Sequence, residues 1–271
     1  MRAVEDGVAK IKWVILDIDD TLLDHAGRLP EENRRAVQAV SAKGLPVVLA
    51  TGRRWSACQP FHQALGLSTP AICFCGADIR RADGVQLAAA RIPAGRAEEI
   101  VRLLDREGVP VRVSLEQGSY WTSSPPYPRS RPPRVDSRLR QRIPEDPYML
   151  VVEGEEQVAT ALVYLSQQFA DDLTLYPIDS HSTGRRRLMI FDRRASKEAA
   201  AEKVGEWLQL KLEEAIAIGD GLVDLGLARR AGVAVAMHIA IPELKEEADL
   251  VAPAIPDAVA WALKQLVLNG T

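Results

Sequence analysis

The fold is indicated by the run Trp13-Val-Ile-Leu-Asp-Ile-Asp-Asp-Thr21, in which an apolar stretch passes directly into acidic residues. The apolar part is short and contains β-branched side chains, so it predicts a buried strand over about 12–17. Asp17, Asp19 and Thr21 then stand at or just beyond the carboxyl end of this strand. In a parallel sheet, ligands bind outside the carboxyl ends of the strands. The predicted strand therefore points to a site as well as to a fold.

Strands and helices alternate along the first and last thirds of the chain. In the first third, the pattern predicts strands over 45–50 and 71–74 and helices over 30–43 and 54–65, each helix followed by a glycine. In the last third, it predicts strands over 188–191, 215–218, 233–236 and 250–251, with helices over 196–210, 222–231, from 241, and over 256–268. Such alternation implies crossover connections and a parallel sheet that helices cover on both faces.

The middle third has a different pattern. It begins with a polar hairpin over 79–88, whose turn is Asp83-Gly84, and continues with a mixture of predicted helices and strands. Seven of the 17 prolines lie between Pro125 and Pro147, which predicts an extended loop rather than a packed element. We therefore predict a doubly wound, Rossmann-like α/β core of residues 1–81 plus 188–271, interrupted by an inserted α+β domain of residues 82–187.

Composition excludes several classes of protein. The net charge of −3 and the isoelectric point near 5.9 do not suggest binding to nucleic acid or to a membrane surface. No apolar run approaches the roughly 20 residues that span a bilayer. The cysteines number 3, an odd count in a chain of this size, so we expect no disulfide framework. We expect a cytoplasmic protein; its oligomeric state cannot be read from the sequence.

Polar residues from four separate segments should meet at one edge of the predicted sheet. They are Asp17 and Asp19 after the first strand, Thr51, Gly52 and Arg53 after the second, Lys197 at the start of a helix, and Asp220 and Asp224 after the strand at 215–218. Carboxylates at one spot repel, since two charges about 4 Å apart cost roughly 4 kcal/mol at an effective dielectric of about 20. A hard cation relieves this repulsion, and oxygen ligands suit Mg²⁺.

This set of groups favours phosphoryl transfer. Phosphate monoesters hydrolyse extremely slowly unaided, and a carboxylate nucleophile divides the reaction into two easier steps through an aspartyl-phosphate. We expect Asp17 to be this nucleophile, and Asp19 to protonate the leaving oxygen and then deprotonate water. Thr51 can hold the phosphoryl oxygens, with Gly52 beside it. Two interpretations of Arg53 are open: it contacts the substrate, or it forms a structural ion pair.

The remaining charged groups complete the predicted site. Lys197 can offset the charge of the nucleophile and of the phosphoryl group. We expect Asp17, Asp19 and Asp220 to bind the metal, and Asp224 to orient Lys197 or metal-bound water.

These motifs, in this order, resemble those of the haloacid dehalogenase (HAD) superfamily, and closely its Cof-type, sugar-phosphatase-like branch. The run from Asp17 to Leu23 looks like the first motif, Ala50-Thr-Gly-Arg53 the second, Lys197 the third, and Gly219-Asp-Gly-Leu-Val-Asp224 the fourth. The resemblance covers nearly the whole chain. It implies a core of this kind with a large α/β cap inserted between the second and third motifs, and hydrolysis of a small phosphorylated metabolite with Mg²⁺.

The chain departs from the family pattern at positions where family members carry uncharged residues. Cys75, Val223 and Ile239 stand where family members usually carry asparagine, His238 replaces a usual glycine, and Asp20 replaces another. Every charged catalytic position is kept. The departures bear on rate and substrate more than on reaction class, and they leave two alternatives open: phosphoryl transfer to a second sugar hydroxyl, as in related phosphomutases, and a phosphometabolite-binding protein with little turnover.

Arginines recur in the proline-rich loop of the inserted domain, at Arg129, Arg131, Arg134, Arg138, Arg140 and Arg142. One interpretation is a clamp for an anionic substrate. The other is a solvated, mobile loop. No aromatic residues alternate with these arginines, so we do not expect the loop to bind nucleic acid.

Overall fold

The computed structural model describes residues 11–128, 132–179 and 184–269 of the 271-residue chain. By its internal contacts the chain forms two compact units. Unit 1 comprises Met1–Ala88 and Ser196–Thr271, and unit 2 comprises Ala89–Ala195.

The strands of the described residues are, in chain order, β1 (Trp13–Leu16), β2 (Val47–Leu49), β3 (Ala71–Cys73), β4 (Asp78–Arg80), β5 (Gln86–Ala89), β6 (Val111–Leu115), β7 (Gly118–Trp121), β8 (Met149–Glu153), β9 (Leu173–Asp179), β10 (Arg186–Asp192), β11 (Ala215–Gly219), β12 (Val233–Ala236) and β13 (Leu250–Val251). The α-helices of the same ranges are α1 (Glu31–Ala42), α2 (Trp55–Ala64), α3 (Ala94–Arg106), α4 (Glu155–Gln168), α5 (Lys197–Leu208), α6 (Leu225–Arg230), α7 (Pro242–Glu247) and α8 (Ala258–Leu263).

Unit 1 is built on a parallel sheet in the order β13-β12-β11-β1-β2, to which β3 is joined by a parallel bridge between Ala50 and Ile72. Alternate residues of β1 enter different cores. Val14 and Leu16 pack with α1 and α8 on one face, whereas Trp13 and Ile15 pack with α5 and α6 on the other. The predicted doubly wound parallel sheet is therefore confirmed.

Unit 2 contains a five-stranded sheet in the order β7-β6-β8-β10-β9, in which the neighbouring strands run antiparallel. Buried apolar residues of α3 and α4 form one core with this sheet. The sequence pattern did not predict the strand β7, because this strand is short and starts at Gly118. The proline-rich stretch is also more packed than predicted: Leu139 and Ile143 lie in this core.

The boundaries of the two units differ from the predicted ones at both crossings. The hairpin of β4 and β5 forms a sheet with β3, and Ile79 is buried in a core of unit 1. The predicted core strand 188–191 lies within β10, which pairs with β8 and β9, and its Leu188 and Ile190 enter the core of unit 2. Both segments could be placed only by their pairing partners, which the local sequence does not specify. Within the described ranges, no helix combines the length and the apolarity needed to cross a membrane.

Candidate active site

Asp17 stands where the order of the sheet reverses. After β1 the chain continues to β2 on one side, and later returns through β11 on the other. The backbone N–H of Asp17 donates to the carbonyl of Ile218 at 3.0 Å, so the residue is fixed between the ends of β1 and β11. The residue is 7% exposed. A reversal of this kind leaves a crevice at the carboxyl ends of the strands, which is where ligands of such folds bind.

Lys197 joins two of the aspartates. Its Nζ donates to Asp17 Oδ1 at 2.6 Å and to Asp224 Oδ1 at 2.7 Å. The lysine is the first residue of α5, and the preceding Ser196 caps this helix by accepting from the N–H of Ala199 at 3.2 Å. Burial alone lowers the pKa of the Lys197 ammonium, but Asp17 and Asp224 outweigh it and raise that pKa above its ordinary value. Lys197 is therefore a permanent positive charge in this site.

Three carboxylates, those of Asp17, Asp220 and Asp224, offer oxygen atoms within 4.8 Å of one another. One ammonium cannot balance three carboxylates. Burial, followed by the charges of Asp17 and Asp224, raises the pKa of Asp220 to about 9. Burial, partly opposed by Lys197, likewise raises the pKa of Asp17 to about 7. The donor set is hard oxygen with an excess of negative charge, so it fits Mg²⁺.

Asp224 is held by backbone as well as by Lys197. Its Oδ2 accepts from the N–H groups of Asp220 and Gly221 at 3.3 and 3.1 Å. A Cβ atom on Gly219 would lie 2.4 Å from Asp224 Cγ, so this position requires glycine. Thr21 completes the arrangement, because its Oγ1 donates to Asp220 Oδ1 at 3.1 Å. The turn after β1 is thus tied to the loop after β11.

Asp19 is not part of the carboxylate cluster. Its backbone is extended, and its carboxylate forms a two-pronged ion pair with Arg53, whose Nε lies 2.9 Å from Asp19 Oδ2. Arg53 also stacks on Phe61, with 4.9 Å from Cζ to the ring centroid. We expected Asp19 to bind the metal with Asp17 and Asp220, and this stays a prediction; in the structure the carboxylate that lies with those two is that of Asp224. The carboxylate of Asp19 is held by Arg53, for which the sequence left a structural ion pair open without indicating its partner.

Thr51 and Gly52 lie at the end of β2, beside a strained turn. Thr51 is fully buried, and its Oγ1 accepts from the N–H of Arg53 at 3.2 Å. A Cβ atom on Gly52 would stand 3.4 Å from the sulfur of Cys75. Because Gly52 has no side chain, its backbone is open to a close-lying anion.

The turn Phe74–Gly76 connects this segment to Lys197. Phe74 and Cys75 have positive φ angles of 46° and 51°, which is uncommon outside glycine. Their N–H groups donate to the carbonyls of Arg53 and Thr51, each at 2.9 Å. A Cβ atom on Gly76 would lie 2.0 Å from the carbonyl oxygen of Ser196. Cys75 is buried, and burial raises the pKa of its thiol to about 12, so the thiol stays protonated.

The other departures from the family pattern lie at the edges of the site. Val223 sits in the turn between Asp220 and Asp224, and Ile239 lines a cleft of about 240 Å³ in unit 1. The cleft is bounded by the turn after β1, including Asp20 and Thr21, and by residues that follow β12 and β13. Its walls are mainly apolar, and no pattern in the sequence predicted it.

The arginine-rich loop belongs to unit 2. Arg129 and Arg131 lie outside the described residues. Arg138 pairs with Asp136 at 2.7 Å, and Arg140 Nε lies 3.2 Å from a carboxylate oxygen of Asp105 on α3. These two guanidinium groups have partners within their own unit, which weakens the interpretation of the loop as a clamp.

Comparison with known proteins shows the family. Residues 14–263 match the model of the haloacid dehalogenase-like hydrolases. The 5-amino-6-(5-phospho-D-ribitylamino)uracil phosphatase YcsE of Bacillus subtilis (strain 168) is 25% identical over 266 residues, which cover 95% of this chain and 96% of YcsE. Phosphatase YwpJ of the same organism is 25% identical over 273 residues, which cover 89% of this chain and 94% of YwpJ.

A solved structure shows the same fold. BT1666 from Bacteroides thetaiotaomicron, described among the phosphatases of the HAD superfamily, superposes with a TM-score of 0.80 at 22% sequence identity. The match covers 94% of this chain and 95% of BT1666. It therefore includes both units of the chain.

Proposed function

Because the chain belongs to the haloacid dehalogenase-like hydrolases and is a phosphatase of that family, we propose that it hydrolyses a small phosphomonoester, such as a sugar phosphate, through an aspartyl-phosphate on Asp17. The observation that carries the proposal is the buried ammonium of Lys197 between Asp17 and Asp224, beside the carboxylate of Asp220. A nucleophilic carboxylate, a fixed positive charge and a cation-binding carboxylate stand together. We also propose that unit 2 is the cap that selects the substrate.

In the first step, an oxygen of Asp17 attacks phosphorus and the bond to the leaving oxygen breaks. Lys197 donates to Asp17 Oδ1 and thereby fixes the direction of the other carboxylate oxygen. The nucleophile is therefore already oriented before the reaction, and no entropy is lost in orienting it during the reaction. Asp19 gives its proton to the leaving oxygen, so the product leaves as a neutral alcohol.

In the second step, Asp19 takes a proton from water while the water oxygen attacks the phosphoryl group. The bond between phosphorus and Asp17 breaks, inorganic phosphate leaves, and the carboxylate of Asp17 is restored. For both steps Asp19 must leave its ion pair with Arg53, and it must take up a proton from solvent before it acts as the acid of the first step. The proton that it takes from the attacking water restores this acid for the next turnover. The pair is partly exposed, with 26% of the Arg53 side chain and 55% of the Asp19 side chain accessible, so its separation costs little.

Two kinds of group stabilise the transferring phosphoryl oxygens. Thr51 and the open backbone at Gly52 offer hydrogen bonds, and the buried ammonium of Lys197 supplies a positive charge. Mg²⁺ held by Asp17 and Asp220, with Asp224 beside them, would neutralise charge on the phosphoryl group.

The experiment is a screen of phosphorylated metabolites for release of inorganic phosphate, with Mg²⁺ and with EDTA. We expect Mg²⁺-dependent release from at least one small phosphomonoester, and none from the Asp17→Asn variant. Near-normal release by that variant would refute the mechanism. An isomerised sugar phosphate without free phosphate would indicate a phosphomutase, and saturable binding without a phosphoenzyme would indicate a binding protein.

A further inference from the structure

Asn33 is a polar side chain in an apolar core. It lies on α1, it is fully buried, and its neighbours along the same helix face, Val37 and Val40, belong to the core that covers one side of the parallel sheet. A buried amide is costly unless its donors and its acceptor are satisfied. Asn33 must therefore have specific partners in this core.

Each partner of Asn33 is a backbone group distant in the sequence. Its Nδ2 donates to the carbonyl of Leu22 at 3.0 Å and to that of Pro256 at 3.4 Å, and its Oδ1 accepts from the N–H of Ala260 at 2.9 Å. One amide thus links the turn after β1, the segment before α8, and the first turn of α8.

Leu22 ends the turn that carries the chemistry. This turn runs from Ile18 to Leu22, includes Asp19 and Thr21, and is strained at Asp20, where φ is 54°. Across the turn, the N–H of Leu23 donates to the carbonyl of Ile18 at 3.0 Å. A strained turn keeps its shape only when its surroundings hold it. The bond from Asn33 to Leu22 is such a support, and it acts directly next to Thr21.

We propose that Asn33 is a positioning residue for the carboxylate cluster, acting through Leu22 and through the hydrogen bond from Thr21 to Asp220. The inference rests on the proposed function in that it takes the cluster to bind Mg²⁺. Without Asn33, the carbonyl of Leu22 loses its buried donor, the turn shifts, and Thr21 no longer orients the carboxylate of Asp220. Groups that orient metal ligands typically change metal affinity about 10- to 100-fold.

A second role of Asn33 must be separated from the first. Its Oδ1 accepts from the N–H of Ala260 in the first turn of α8 and so caps this helix. Asp257, the residue before α8, makes no side-chain capping bond of its own. A brace of this kind contributes to stability without affecting the site. Loss of stability alone therefore does not test the proposal.

The test compares Asn33→Leu with the control Val37→Ala. Leucine has nearly the shape of asparagine but makes none of its hydrogen bonds, whereas Val37→Ala weakens the packing of the same helix and touches no polar group. For each protein we would measure the midpoint of thermal unfolding, the dissociation constant of Mg²⁺ by calorimetry, and kcat and KM well below that midpoint.

We expect Asn33→Leu to weaken Mg²⁺ binding by about tenfold and to lower kcat by about tenfold, with KM nearly unchanged. Val37→Ala should lose thermal stability and keep Mg²⁺ affinity and kcat within about twofold. Asn33→Ser is the second variant, in case the first does not fold. Its hydroxyl and a water molecule can reach the same backbone groups, so we expect a smaller loss in the same direction.

Mg²⁺ affinity that is unchanged in the folded Asn33 variants, or equally weakened in Val37→Ala, would overturn the proposal. Calorimetry keeps the test separate from the proposed function. If the wild type binds Mg²⁺ but hydrolyses no phosphomonoester, the proposed function fails, and the effect of Asn33 on Mg²⁺ binding still decides the inference.

Discussion

Lys197 shows why the charged groups of this site depend on one another. It is buried with two carboxylates, at 2.6 Å from Asp17 and 2.7 Å from Asp224. Removal of one member of such a group leaves a buried charge without its partner, which typically costs about 3–5 kcal/mol. The residue types at these positions followed from the sequence, because four motifs in order leave few other interpretations. The orientation of Asp19 did not follow, because it depends on Arg53, which is 34 positions away.

We predict that Asp19→Asn lowers kcat by at least about 100-fold, the usual contribution of a general acid and base. The midpoint of thermal unfolding should change little, because the Asp19 side chain is 55% exposed. The neighbouring Asp20→Asn is the matched control, since asparagine tolerates the positive φ of that position and we give Asp20 no catalytic role. Equal losses of kcat in the two variants would contradict the role of Asp19.

The elements bring these residues together through strand ends and one strained turn. Parallel pairing of β1 with β2 and β11 could be predicted from alternation, and it places Asp17, Thr51 and Asp220 at one edge. The turn Phe74–Gly76 could not be predicted, because neither Phe74 nor Cys75 favours a positive φ. It is maintained by bonds to the Thr51 segment and by contact with Ser196, which are tertiary interactions.

We predict that Gly76→Ala displaces the start of α5 and with it Lys197. The new Cβ would stand 2.0 Å from the carbonyl oxygen of Ser196, so kcat should fall by at least about tenfold and stability should fall as well. Gly44→Ala is the control: it has a similar φ of +86°, but its added Cβ meets no atom within 4 Å. Gly44→Ala therefore introduces the backbone strain of a positive φ without a steric clash, so its kcat should stay near that of the wild type. A normal kcat for Gly76→Ala would show that the turn does not position Lys197.

The sequence predicted an insertion at residues 82–187, whereas the second compact unit of the structure is Ala89–Ala195, so both boundaries differ from the predicted ones. Hydrophobic patterns identify β4, β5 and β10 as strands, but they do not say which sheet each strand joins. Register with β3 places the hairpin in unit 1, and pairing with β8 and β9 places β10 in unit 2. Sheet membership is set by contacts between distant segments, so it lies beyond local sequence patterns.

The excess negative charge of the carboxylate cluster also affects the stability of the whole fold. The pKa of Asp220 is raised to about 9 in the folded state, mainly by burial, from an ordinary value of 3.8. The folded state therefore binds a proton that the unfolded state has released between about pH 4 and pH 9. Stability without metal must fall as pH rises through this window, by up to about 1.4 kcal/mol per pH unit for this one group.

We therefore predict that Asp220→Asn is more stable than the wild type at pH 8 in EDTA, and that the difference shrinks toward pH 5. Asparagine keeps an acceptor for Thr21 and carries no charge. Mg²⁺ should raise the unfolding midpoint of the wild type at pH 8 and have little effect on the variant. Denaturant unfolding at several pH values measures both effects. If the stability difference between the wild type and Asp220→Asn did not depend on pH, or if Mg²⁺ stabilised both proteins equally, the excess negative charge would not lie at a metal site that includes Asp220.

The central claim is that Asp17 carries the phosphoryl group during turnover. The most direct measurement is a single turnover of a substrate from the metabolite screen, quenched with acid within the reaction time and analysed by peptide mass spectrometry. We predict a mass increase of one phosphoryl group on Asp17 that appears before free phosphate, decays as phosphate accumulates, and is absent in Asp17→Asn. Phosphate release without this species, or with the phosphoryl group on another residue, would contradict the account.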